Sequence, residues 1–236
     1  MFLESKKSAK EFIDSLLNES ISMSDFKSLE RIRDDFYEGK PLEEGGTSIK
    51  GKGAAPGVRD LMTMGVFKNG DKIIDYGAGR YARNADFLRE QGFTVYAYDP
   101  FNGKDVDGYA MGNVSDKLPT EKFDVGFSSF VLNVVPFYIE KEIVKELESI
   151  CKRPYHITRN KDIFDTISNS LEKENPMVLT YFNTVYKGTN HLDVNEQFDL
   201  CCFGVATSRG FQRIPTTETL GYKLEKESSG YKIYSK

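Results

Sequence analysis

The spacing of hydrophobic positions changes several times along the chain, and each change marks a predicted element. Near the start, Phe12, Ile13, Leu16 and Leu17 share one helical face, and Phe26, Leu29, Ile32 and Phe36 recur at helical spacing after a candidate N-cap at Ser22 or Ser24. Two helices are expected within residues 1–38, forming either a lid or packing layer on the core or an independent binding module. From Gly39 to Gly57 the pattern stops, because so many Gly and Pro residues cannot hold a regular element. That stretch reads either as a flap carrying Lys50, Lys52 and Arg59 toward an anionic ligand or as a solvated linker. A short helix from Pro56 to Met64 and a turn at Asn69-Gly-Asp71 follow.

Ile73 and Ile74 then run without alternation into Asp75, as in a strand buried on both faces. Gly77 and Gly79 permit a sharp turn that exposes backbone amides where the next helix begins. That helix is predicted from Tyr81 to Glu90, burying Ala82, Ala85, Phe87 and Leu88, with Gln91-Gly92 closing it. Phe93 to Tyr98 gives a second buried strand, and Asp99 ends it about twenty residues after the glycines, where an acid can accept hydrogen bonds from ribose hydroxyls. The ordered set describes a βαβ unit for an adenosine-like ligand.

Further on, Ile139, Ile143, Leu147 and Ile150 share one face of a helix from Tyr138 to Cys151, which returns to a strand at Tyr155–Thr158. A helix over Ile163–Leu171, an extended segment over Met177–Tyr186 and an apolar segment over Phe198–Val205 come next. Gly221 to Ser235 reads as a closing hairpin with a Ser-Gly turn.

Composition narrows the picture modestly. With 236 residues, 39% hydrophobic and 29% charged, the chain suits one α/β domain with ample core. A net charge of −4 excludes a molecule that attracts nucleic acid or acidic membrane by charge alone, although a local basic groove stays open. Cys151, Cys201 and Cys202 have no metal or redox spacing and read as buried thiols of a reducing compartment. No apolar run approaches a membrane span, and Met1-Phe-Leu-Glu-Ser-Lys-Lys lacks a cleaved-signal pattern, so a cytoplasmic location without membrane contact is expected.

Asp75-Tyr-Gly-Ala-Gly79 resembles the first motif of class I S-adenosylmethionine-dependent methyltransferases, and Tyr98-Asp99-Pro100 resembles the acidic end of their second strand. Met111 to Pro119 resembles the segment bordering the adenine, and Phe123 to Pro136 the fourth strand with the active-site loop after it. The resemblance implies a Rossmann-like, doubly wound α/β fold whose mainly parallel sheet is closed by an antiparallel C-terminal hairpin. It implies a catalytic domain over residues 57–236, preceded by a helical extension and Gly-rich flap over residues 1–56. S-adenosylmethionine is the implied cofactor. Gly77, Ala78 and Gly79 would face its methionine part, Asp99 the ribose, and Asn113 with Val114 the adenine edge, with Ser128 to Phe130 lining the transfer pocket and Asp75 and Pro100 among the cofactor-binding residues. Tyr81 stands where the motif's third glycine is expected, and the segment between Asp99 and Asn113 is too short for a full helix.

A nicotinamide dehydrogenase is the rival for any Gly-rich βαβ unit; Ala82 interrupts its Gly-x-Gly-x-x-Gly, and the closing hairpin favours the methyltransferase. The absence of an Asp/Asn-Pro-Pro-aromatic motif and of a Pro-Cys nucleophile leaves direct in-line transfer to an oxygen or nitrogen. Thr207 to Pro215 resembles a stretch of methyltransferases associated with DNA phosphorothioation and of phage-encoded relatives. There Arg209 and Arg213 are candidate phosphate contacts and Phe211 a candidate base-stacking group, which makes nucleic acid a candidate acceptor; a solvated loop with one core Phe is the alternative. Lys52 joins these as a substrate-binding candidate. Asn133 and Arg209 are the catalytic candidates, with helix capping the other role open to Asn133. His156 and His191 lack ligand-like spacing and read as structural, with general base the other role open to His191. A fold kept for binding a protein or nucleic-acid partner, without chemistry, is the second functional class.

Overall fold

Ile73, Ile74, Val95 and Val125 belong to neighbouring parallel strands, and their pairing builds the centre of the molecule. The computed structural model describes residues 53–135, 137–160, 204–207, 210–213, 215 and 217–236. The two helices expected within residues 1–38, the helix Ile163–Leu171 and the segment Met177–Tyr186 lie outside these residues, as do Lys50, Lys52, His191, Cys201, Cys202 and Arg209.

In chain order the elements are α1 (Pro56–Thr63), β1 (Lys72–Tyr76), α2 (Arg83–Glu90), β2 (Thr94–Tyr98), β3 (Phe123–Ser129), α3 (Phe137–Ile150), β4 (Cys151–Arg159), β5 (Gly204–Thr207), β6 (Gly210–Arg213), β7 (Lys223–Glu227) and β8 (Tyr231–Ser235). A six-stranded sheet has the order β2-β1-β3-β4-β8-β7. The first four are parallel, and β8 and β7 run antiparallel, so the C-terminal hairpin closes the sheet as the sequence predicts. No helix is present between β2 and β3, in keeping with the shortness of that segment. Among the described residues, no helix is long and apolar enough to cross a membrane.

Strand alternation divides the core into two layers. Ile73, Val95, Ala97, Val125, Phe127, Ile157 and Ile233 pack with Val58 and Leu61 of α1 and with Ala85 and Leu88 of α2. On the opposite face Ile74, Tyr76, Tyr98, Phe123 and Tyr234 pack with Ile143, Val144, Leu147 and Ile150 of α3. Proline at the start of α1 suits the first helical turn, where its missing N–H has no partner to lose. Asp60 anchors α1 to the hairpin by accepting from Lys226 at 2.6 Å and from the Tyr231 hydroxyl. Ala54 and Ala55 are already buried, and the Ala55 amide donates to Asn84 Oδ1 of α2 at 2.8 Å. The last residues of the predicted flap are therefore part of the core, and the expected boundary between residues 56 and 57 falls inside the first turn of α1.

Three boundaries differ from expectation. α2 begins at Arg83 rather than Tyr81, because Ala82 takes a left-handed conformation (φ 48°) and becomes the N-cap. β4 begins at Cys151, directly after α3, rather than at Tyr155; Lys152 and Arg153 break the apolar run but meet Asp124 and Asp71 at the strand's open end. Thr207 to Pro215 is not wholly loop, since Gly204–Thr207 pairs antiparallel with Gly210–Arg213 in a separate two-stranded ribbon. Val205, Thr207 and Phe211 are strand-favouring residues, and the interspersed polar residues mask that tendency in the sequence.

Candidate functional site at the C-terminal ends of the central strands

β1 leads through α2 to β2 on one side, while β3 lies on its other side, so the chain reverses direction across the sheet between β1 and β3. Crevices outside the carboxyl ends of strands at such a switch point are the usual ligand sites of open α/β sheets. The predicted glycine turn stands there. Gly77 and Gly79 both adopt positive φ (76° and 65°), which residues carrying a Cβ rarely do. The amides of Gly77 and Ala78 both donate to the Tyr98 carbonyl, at 2.8 and 2.9 Å, which folds the turn over the end of β2.

Asp99 fastens the turn from the other side. Its Oδ2 accepts the Gly79 amide at 2.9 Å. Its Oδ1 accepts the amides of Phe101 and Asn102 and the Asn102 side-chain amide, at 3.0, 2.8 and 3.2 Å. With two lone-pair positions on each carboxylate oxygen, Oδ1 is fully taken by its donors and one position on Oδ2 is left for an outside donor. Asp99 thus shapes the loop. Pro100 beside it is exposed.

After Asp99 the chain folds back on itself: Lys104 donates to the Val114 carbonyl at 2.9 Å and Asp99 to the Ser115 carbonyl at 3.0 Å. Between this fold-back and the glycine turn lies a cavity of about 410 Å³, within the ~300–1,000 Å³ of small-molecule sites. Arg80, Tyr81, Phe101, Asn102, Gly103, Lys104, Val106, Gly112, Asn113 and Val114 line it. Its wall is tied to α2 by Asp86, which accepts the Gly112 amide at 2.9 Å and pairs with Arg89 at 2.7 Å. Tyr81 and Phe101 in this wall are 40% and 62% exposed, so part of each ring faces solvent. The Arg83 guanidinium lies 5.4 Å from the Tyr81 ring centre and steadies it.

Asp75 sits beneath the turn, fully buried. Burial pushes its carboxyl up to about 7, against the lowering pull of the Arg89 guanidinium and the Ala85 amide, with Asp99 and Asp86 adding to the rise. Ala82 brings no side-chain cap to α2, and the Ala85 amide of its first turn is the backbone group that pulls the Asp75 carboxyl down. Asp75 does not line the cavity.

Of the predicted residues, Asn113 and Val114 line the cavity, while Gly77, Ala78, Gly79 and Asp99 do not; the glycine turn adjoins it in sequence through Arg80 and Tyr81. Ser128 does not reach it: the side chain is buried on the α3 face, with its hydroxyl 2.8 Å from His156 Nδ1. His156 is itself buried against the Tyr222 ring, and burial lowers its imidazole to about 3, so it is a neutral structural residue. Phe130 is half-buried and left-handed (φ 62°), packing against the α1 and α2 layer. Asn133 is 1% exposed in the turn before α3 and lies four residues ahead of the helix, too far to be its N-cap. Phe211 and Arg213 lie in β6. Sequence reasoning missed Phe101, Asn102 and Lys104. Their signal was position, since an exposed aromatic and an Asn directly after a strand-ending acid are poorly placed for packing.

The chain matches no family model, and no curated protein matches it. Among solved structures it is similar to magnesium protoporphyrin IX methyltransferase from Synechocystis PCC 6803 with bound SAH, at 15% identity, covering 94% of this chain and 98% of that one, with a TM-score of 0.42. It is also similar to an O-methyltransferase family protein from Burkholderia thailandensis, at 14% identity, covering 94% and 61%, with a TM-score of 0.45. A Rhodobacter sphaeroides protein named among the Zn-dependent alcohol dehydrogenases is similar to the same degree, at 14% identity, covering 92% and 98%, with a TM-score of 0.43. At these TM-scores the reading of function rests on the chain's own residues.

Proposed function

We propose that the chain binds S-adenosylmethionine across the glycine turn and the adjoining cavity, and that it transfers the methyl group to an oxygen or nitrogen acceptor. The observation that carries this reading is the Asp99 carboxylate joined to the Gly79 amide at the switch point, beside a cavity with two exposed aromatic faces. The residues fit such a ligand: Tyr81 and Phe101 offer faces to an adenine, Asn113 its edge contacts, and Asp99 one free lone-pair position to a ribose hydroxyl. The missing Cβ of Gly77 leaves the space that the Val131 side chain occupies beside the turn.

When bound, the cofactor supplies an electrophilic methyl on a sulfonium, so the protein's task is orientation more than covalent chemistry. With Asn133 buried, we assign the acceptor side to the stretch containing Arg209, Phe211 and Arg213, whose composition favours a nucleic acid, as in the phosphorothioation-associated and phage-encoded enzymes it resembles.

A binding module without chemistry is the second reading, favoured by the extent to which Asp99 is satisfied by its own backbone. Incubation with methyl-labelled S-adenosylmethionine and fractionated cell extract separates the two. Label in RNA, DNA, protein or a small molecule supports the enzyme, and binding without label transfer supports the module.

A further inference from the structure

The loop after β3 touches the glycine turn at one point. A Cβ placed on Gly77 would fall 2.4 Å from Cγ2 of Val131 and 3.3 Å from its Cγ1, so the Val131 side chain lies directly on the Gly77 Cα. Val131 is held there from two directions. Phe130 before it adopts φ 62°, in the left-handed region, and its amide donates to the Ile157 carbonyl at 2.8 Å. Phe130 packs into the layer beside α1 and α2, and Val131 into the layer beside α3. The two successive side chains pack into opposite layers, and the left-handed Phe130 turns the chain out of β3. Strain of this kind persists where the surroundings hold it. A β-branched side chain is also stiff about χ1, so Val131 cannot swing aside as a longer residue would.

We propose that Val131 is a positioning residue for the Gly77–Gly79 turn: it sets the height of the turn over the crevice, and thereby the affinity for the adenosyl ligand, without touching that ligand. The proposal rests on the cofactor reading of the turn. Its sequence neighbours give no hint of the role, because Val131 reads there as one more apolar residue of the segment from Phe123 to Pro136.

The test uses the full chain and S-adenosylhomocysteine as the probe, with calorimetry for affinity and thermal melts for stability. Val131→Ala is expected to weaken binding about tenfold, while Val131→Thr, which keeps the branched shape, stays within about twofold of wild type. Gly77→Ala is expected to weaken binding by more than about tenfold, and Gly77→Ala in the Val131→Ala background to recover at least about threefold of that loss. Equal losses for Val131→Ala and Val131→Thr, additive effects at the two positions, or melting shifts with unchanged affinity would overturn the proposal. Should Gly77→Ala not fold, the Val131→Ala and Val131→Thr pair decides alone. If wild type fails to bind the probe, the cofactor reading falls and this proposal with it; if wild type binds and Val131→Ala binds equally well, only this proposal falls.

Discussion

The Gly79 amide donates to Asp99 Oδ2 at 2.9 Å across twenty residues of chain, and this bond joins the end of β1 to the end of β2. Truncation removes the acceptor of that amide and of three further donors on Phe101 and Asn102. These amides are only partly buried, so leaving them without partners costs about 1 kcal/mol, the low end for an unsatisfied group. Asp99→Ala should therefore lower the unfolding free energy in urea by that amount, even without ligand. An unchanged midpoint would mean that the loop is held by something else.

Asp75 predicts an unusual pH dependence. Its folded carboxyl lies at about 7 because of burial, whereas an unfolded aspartate titrates near about 3.9. Between those values the folded chain keeps a proton that the unfolded chain has lost, so this group makes stability fall as pH rises through the window. Asp75→Asn should gain on wild type steadily from about pH 4 to about pH 7, with a constant difference on either side. Denaturant titrations at several pH values give the difference curve directly; a flat one would show that the carboxyl is charged in the fold.

Much of this arrangement is legible in the sequence, for a physical reason. Ile73-Ile74-Asp75 and Val95 to Asp99 announce strands because burial on both faces demands unbroken apolar runs, and Gly77 and Gly79 announce a turn because their φ values exclude side chains. The closing hairpin is equally plain from its Ser-Gly turn. What the sequence hides are contacts between distant residues. Nothing local reveals that Ser128 faces His156 rather than the crevice, that the Asp99 carboxylate is largely taken up by its own backbone, or that Val131 rests on Gly77. Ala82 is hidden for a different reason: alanine favours helix, and only the turn before it forces the left-handed conformation that delays α2 to Arg83.

Helix α1 meets the sheet at Gly57, where an added Cβ would fall 2.7 Å from Ile157 Cγ2 and 3.3 Å from the Tyr231 ring. Alanine in place of glycine in a helix ordinarily gains about 0.5–1 kcal/mol. Overpacking a closed core costs about 1–3 kcal/mol, and Ile157 has no exposed surface through which to give way. The clash should win, so Gly57→Ala is expected to melt at a lower temperature than wild type. A higher melting temperature would show that α1 can lift from the sheet.

Cys151 offers a check on the packing beneath α3. Burial pushes its thiol up to about 12, with Lys122 opposing the rise, so little reactive thiolate exists at pH 8. Iodoacetamide labelling followed by peptide mass spectrometry should find Cys151 at least roughly a hundredfold slower in the native chain than in urea. Rapid native labelling would mean that the α3 to β4 junction opens readily.

The most direct test of the central claim is isothermal titration of the folded chain with S-adenosylmethionine. Saturable binding with a micromolar-scale dissociation constant is predicted, weakened about five- to a hundredfold when Tyr81 and Phe101 are both replaced by alanine, in keeping with about 1–3 kcal/mol for a stacked base. Folded protein that gives no saturable heat, or binding untouched by loss of both rings, would contradict the placement of an adenosyl ligand at this turn and cavity.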